Sequence, residues 1–188
     1  MRIQDQTFKN EIFERQMLSR EGYDNCEFID CKFSDADLAD VSFMECTFRL
    51  CDFSMGKLDN AGLKDVHFKG CNFLGVDLST SSSFLWKASF VDCQMDLTLF
   101  TNMNLKGTEF SNCSLKEADF SNADLSAASF DDCDLERAIF QGTNLEKTDF
   151  RKAIKYAFDP SVNVLKKTQF SSSGVLGLLT AYDIIVTP

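Results

Sequence analysis

Between Phe13 and Phe150 a large apolar residue returns at every fifth position in two runs, and polar residues fill most of the gaps. One run reads Phe13, Leu18, Tyr23, Phe28, Phe33, Leu38, Phe43, Phe48, Phe53, Leu58, Leu63, Phe68, Phe73, Leu78. A second starts at Leu85 and continues through Phe90, Met95, Phe100, Leu105, Phe110, Leu115, Phe120, Leu125, Phe130, Leu135, Phe140 and Leu145 to Phe150. All 28 centres are Phe, Leu, Tyr or Met. A period of five fits neither the 3.6 of an α-helix nor the 2 of a plain strand. Two residues before each centre sits a second class, mostly small, as in Ala36, Val41, Ala61, Ala118 and Ala123. The residue between the two is mostly polar, as in Ala36-Asp37-Leu38. A spacing of two sends both apolar positions to one side of an extended segment and the polar one to the other.

The cysteines show how many pentads close a turn. All 8 occupy the small slot. Cys31, Cys51 and Cys71 are twenty apart, as are Cys93, Cys113 and Cys133, whereas Cys71 and Cys93 are separated by twenty-two. One two-residue insertion within Ser79–Phe84 accounts for that offset and for the break between the two runs. Sorted by twenties, the centres fall into four columns, one of them Phe at 28, 48, 68, 90, 110, 130 and 150. Like residues then stack coil over coil. The expected object is a four-sided solenoid of about seven coils, roughly 34 Å long at one strand spacing per coil. Its interior holds large rings beside small residues.

In this register Cys26 and Cys31 point inward on adjacent sides of one coil, and Cys46 and Cys51 do so on the next. Zinc needs about four convergent ligands, which thiols separated by packed rings do not supply. Stacked cysteines would hold their Cβ atoms near ~4.8 Å, further apart than the ~3.8 Å a disulfide prefers. Free buried thiols acting as small hydrophobes are therefore expected.

The units Ala36-Asp37-Leu38-Ala39-Asp40 and Ala123-Asp124-Leu125-Ser126-Ala127 resemble the A(D/N)LXX unit of the pentapeptide-repeat family, over residues 11–152. The resemblance implies an all-β fold, a right-handed quadrilateral parallel β-helix. Residues 1–152 are expected to form it and 153–188 a C-terminal cap. In the cap, Ser172 or Ser173 starts a short helix through Ala181, and 183–186 closes as a strand. Val175, Leu176, Leu178, Leu179, Tyr182, Ile184 and Ile185 are candidate dimer-interface residues, the alternative being a monomeric plug. The quinolone-resistance (Qnr-type) members of the family dimerise through C-terminal helices, which adds weight to the dimer.

Composition narrows function. A net charge of -10 and a pI near 4.5 argue against direct nucleic-acid binding. No apolar run suits a signal peptide or approaches the ~20 residues of a membrane span, so cytoplasmic residence is the expectation. Summed over outward positions, three contiguous faces are acidic and the one bearing Phe43 is nearly neutral. The candidate acidic face carries Asp37, Asp40, Asp59, Asp77 and Asp119 against Arg20 and Lys57. For Qnr-type relatives such acidity is read as DNA mimicry directed at DNA gyrase or topoisomerase IV. The competing reading is an interaction scaffold in which Asp and Asn merely suit the turns of a β-helix.

No enzyme, cofactor or metal site is expected. His67 is the single histidine, lies outward, and has no Ser or Cys expected beside it. No glycine-rich phosphate loop appears, and Asp131/Asp132 read as a solvated face. Phe84, Trp86 and Met44, near the insertion, form either a small contact patch or a group covered by the bulge.

Overall fold

Extended segments turn a corner every five residues because the second residue after most centres enters the left-handed backbone region. Asp30 (φ 52°), Asp35 (54°), Asp40 (62°) and Asn60 (54°) are examples. Asp and Asn tolerate that region better than most L-residues. The polar residue before a centre closes a second local turn. One side-chain oxygen of Asp37, Asp52, Asn72, Asp77, Asn104, Asp119 and Asp124 accepts the backbone N–H two residues on, at 2.8–3.2 Å.

The protein is described here from a computed structural model that covers residues 2–13, 18, 22–182 and 184. Arg20, Ile185 and most of the expected strand at 183–186 lie outside the described residues. Short parallel strands wind into a solenoid: β1 (Ile3–Gln4), β2 (Thr7–Lys9), β3 (Tyr23–Asp24), β4 (Glu27–Ile29), β5 (Ser42–Met44), β6 (Thr47–Arg49), β7 (Gly62–Lys69), β8 (Lys87–Val91), β9 (Glu109–Ser111) and β10 (Ser129–Asp131). One ladder runs β1-β3-β5-β7 and another β2-β4-β6-β7. They meet in β7, which runs through the corner at Asp65 (φ 54°) with pairing on both sides of it, and β8, β9 and β10 continue above it. The other two faces pair through isolated parallel bridges such as Lys32↔Asp52 and Asp119↔Ile139.

The register is twenty below the insertion (Phe48↔Phe68), twenty-two across it (Phe68↔Phe90) and twenty above it (Phe110↔Phe130). Locally the break differs from the expected one. Lys64 pairs with Lys87, twenty-three residues on, and a one-residue register shift follows before Val66 meets Ala88. The corner thus gains three residues and the strand returns one. Leu85, expected as a core centre, is instead 55% exposed in the left-handed region, and half-buried Trp86 takes the slot above Leu63. Phe84 remains 78% exposed, so the bulge does not cover it.

Rings fill the axis. Phe8, Phe28, Phe48, Phe68, Phe90, Phe110, Phe130, Phe150 and Phe170 stack at 4.6–5.6 Å. Neighbouring columns meet them edge-on, as Phe28 meets Phe33 at 5.7 Å and 69°. All 8 cysteines are free and buried. Their placement follows turn type. After Phe33, Phe53 and Phe73 the residue three on returns its N–H to the centre's carbonyl. Among the described residues no such bond follows Phe28, Phe48, Phe68, Phe90, Phe110 or Phe130, and at each a cysteine stands three residues on. One coil higher, a thiol supplies the missing donor at four of them: Cys51 Sγ donates to the Phe28 carbonyl, Cys71 to Phe48, Cys93 to Phe68 and Cys113 to Phe90, at 3.4–3.6 Å. Small size explains the slot, and the thiol adds a weak donor there.

Candidate functional site

The candidate acidic face resolves into rows set by the register. Asp37, Asp77 and Asp119 share one row, but Lys57 and Leu99 alternate with them. Each of the three is half-buried and commits one oxygen to its own turn. Asp40, at the corner, accepts from Asn60 Nδ2 at 2.8 Å, and Asp59 is exposed. The five carboxylates therefore share one side of the rod without forming an unbroken ribbon. Similar amide-to-carboxylate steps recur elsewhere, from Asn72 to Asp52, Asn112 to Asp92 and Asn144 to Asp124, at 2.8–3.1 Å. Much of the acidity doubles as turn and ladder chemistry.

The inserted corner overhangs the face bearing Trp86 and leaves a groove of about 1140 Å³ lined by His67, Ser81, Trp86, Ser89, Asn104 and Lys106, among others. The indole Nε1 of Trp86 is buried and has no hydrogen-bond partner among the described residues. Contrary to the sequence expectation, a serine does stand beside His67. The twenty-two-residue offset pairs the two positions, and His67 Nδ1 lies 2.8 Å from Ser89 Oγ. The pair is exposed, and Asp65, the nearby carboxylate, is held by Lys87 Nζ at 2.8 Å, which lowers its pKa. A relay also needs donors aimed at an oxyanion. Here the backbone N–H groups of His67 and Gly70, at the two ends of this stretch, bond to neighbouring coils.

At the C-terminal end a 3₁₀ helix, Gly174–Tyr182, lies over the last coil. Ser171 Oγ accepts the Gly174 N–H at 3.0 Å. Leu178 faces the core and Leu179 is half-buried, whereas Val175, Leu176, Tyr182 and Ile184 are exposed. The helix sits close because Gly174 and Gly177 carry no Cβ: at Gly177 it would fall on the Tyr156 carbonyl oxygen. The Tyr156 hydroxyl is buried beside Ser171, and burial pushes its pKa up.

The sequence model described as "Pentapeptide repeat region" matches residues 18–83 and 62–140. The chain belongs to the pentapeptide-repeat family. Among solved structures, this pentapeptide-repeat protein is similar to a trypsin-treated variant of QnrB1, described as a plasmid-mediated fluoroquinolone resistance protein (20% identity, 100% of both chains, TM-score 0.45). Full-length QnrB1 gives 16% identity over 98% of this chain and 100% of that one, with a TM-score of 0.43. HetL from Nostoc sp. strain PCC 7120, described as involved in heterocyst differentiation regulation, gives 18% over 89% and 86%, with a TM-score of 0.24. No curated protein sequence matches significantly. Within the described residues of this pentapeptide-repeat protein, no helix is long and apolar enough to cross a membrane and no group of three or more His, Cys, Asp or Glu could hold a metal ion. Its upper coils are laced with ion pairs: Lys155 Nζ bridges Asp134 and Glu136 at 2.9 Å each, and Lys152 Nζ meets Asp131 at 3.0 Å.

Proposed function

We propose that this protein is a non-enzymatic acidic rod that occupies the DNA-binding groove of DNA gyrase or topoisomerase IV and so modulates quinolone susceptibility. The observation that carries this reading is the distribution of charge. Residues 22–152 hold 23 acids against 12 bases, whereas residues 1–21 balance and 153–188 carry a single excess base. From Phe28 to Phe150 the ring stack spans roughly 30 Å, a length over which duplex DNA carries about 18 phosphate charges. The rod's net charge there is about three-fifths of that. A basic groove built for DNA would attract it, with a salt dependence shallower than that of DNA itself.

Dimerisation through the cap completes the reading. Exposed Val175, Leu176, Tyr182 and Ile184 offer apolar surface at the nearly neutral end, where two copies meet without bringing their acidic middles together. Light scattering tests this: a mass near 21.2 kDa, that of one chain, at micromolar concentration would exclude it.

A second reading, an interaction scaffold without topoisomerase activity, is favoured by the Lys57 and Leu99 interruptions and by the carboxylates committed to turns. A supercoiling assay with and without a fluoroquinolone separates the two. Mimicry predicts inhibition or drug rescue at micromolar protein; neither effect leaves the scaffold.

A further inference from the structure

The six thiols Cys31, Cys51, Cys71, Cys93, Cys113 and Cys133 form one buried column along the axis, each free. Translation from coil to coil sets the spacing of equivalent atoms, and the rings two residues further on measure it: Phe13, Phe33, Phe53 and Phe73 stack at 4.7, 4.7 and 4.9 Å. A metal–thiolate bond is about 2.3 Å, so two in line span about 4.6 Å. Below the insertion the column thus repeats at close to the length of a linear sulfur–metal–sulfur unit, and across and above it the stacked rings give a step of 4.8–5.3 Å. We propose that it is a binding site for a soft, thiophilic cation that takes two collinear thiolates, one cation per pair of stacked cysteines.

Charge selects within that class. A divalent cation between two thiolates is neutral and suits a dry interior, whereas a monovalent one leaves a buried negative charge uncompensated. Mercury(II) is therefore the fitting species, and zinc, which wants four ligands, is not. On binding, two S–H bonds break, two metal–sulfur bonds form and two protons leave for solvent; no electron is transferred. The sulfurs already sense one another along the axis: of the neighbouring pair, Cys113 is shifted down and Cys133 up, and the largest cause in each is the other's side chain. Entry is at the lower end of the column. There exposed Glu11 occupies the slot beneath Cys31, and half-buried Phe8 supplies the carbonyl that the Cys31 thiol meets at 3.6 Å. A bare cation passes where a bulky thiol reagent does not.

Adjacency provides the test. Folded protein is titrated with mercuric nitrate, and bound metal is counted after desalting while circular dichroism reports the fold. Wild type should take four cations, three in the column and one between Cys26 and Cys46. Removing the column's ends, with Cys31→Ala and Cys133→Ala together, leaves two adjacent pairs and should give three. Removing Cys51 and Cys93 instead, both to Ala, leaves one adjacent pair and should give two, although the same number of thiols is gone. Threonine versions, following the example of Thr98 in the same slot, serve where the alanine pairs fold poorly. Equal uptake by the two double variants, or uptake that tracks loss of the dichroism signal, overturns the proposal.

Discussion

Phe110→Ala tests whether stacked rings hold the rod together. Phe110 is fully buried, stacks on Phe90 at 5.3 Å and Phe130 at 5.1 Å, and meets Phe100 and Phe120 edge-on at 5.8 and 6.1 Å. Truncating a buried Phe costs about 3–5 kcal/mol. Each lost aromatic pair adds about 0.5–1.5 kcal/mol beyond area, part of it already counted in that range. The site cannot collapse easily, because the backbone around it is fixed by coils above and below. We therefore expect the upper end, about 4–5 kcal/mol. Phe8→Ala is the comparison: Phe8 is half-buried and stacks on one side, on Phe28 at 4.8 Å, so about 1–2 kcal/mol is expected. Urea unfolding followed by circular dichroism reads both. Solenoid coupling is between nearest neighbours, so the central variant should also broaden the transition as the halves uncouple. Equal costs at the two sites, or a Phe110→Ala cost below about 1 kcal/mol, would refute this reasoning.

Gly177→Ala should displace the cap, since its Cβ meets the Tyr156 carbonyl and backbone cannot step aside; a lower melting temperature and loss of any dimer by light scattering are expected. Cys113→Thr should lie within about 1 kcal/mol of wild type and above Cys113→Ala, because threonines in this slot already donate to carbonyls, as Thr148 does to Leu125 at 2.8 Å. An ordinary thiol reagent should find few of the 8 cysteines in the folded protein, consistent with burial raising Cys46 to about 12, and all of them in denaturant. Lys155→Met should destabilise at neutral pH and matter little in strong acid. Lys155 holds Asp134 and Glu136 below their usual carboxylate values, so its contribution is present above the unfolded pKa values and is lost as pH falls through the lowered ones. Melting curves of both proteins across acidic pH show whether the gap closes.

The solenoid was legible because a five-residue period and a twenty-residue recurrence leave few alternatives, and Phe28 to Phe150 stack as the columns require. Periodicity counts only the net offset. Three residues gained at the corner and one returned in β8 look the same as two gained, so Leu85 was placed inside where Trp86 belongs. One further feature was within reach of the same arithmetic: adding twenty-two to His67 gives Ser89. Lys57 was legible on the acidic face, and the register sets it in the row of Asp37. The donor role of the cysteines was not legible, since it depends on which corners leave a carbonyl without its turn N–H. The sidedness of the cap, with Leu178 inward and Leu176 outward, likewise follows from how closely Gly177 lets the helix approach.

The direct test of the functional reading is binding of this protein to purified DNA gyrase, measured by biolayer interferometry across salt concentrations and with linear duplex DNA as competitor. The account predicts saturable binding that weakens steeply between about 50 and 200 mM salt and is displaced by the DNA. No binding at the lowest salt, or binding indifferent to both salt and DNA, would contradict it.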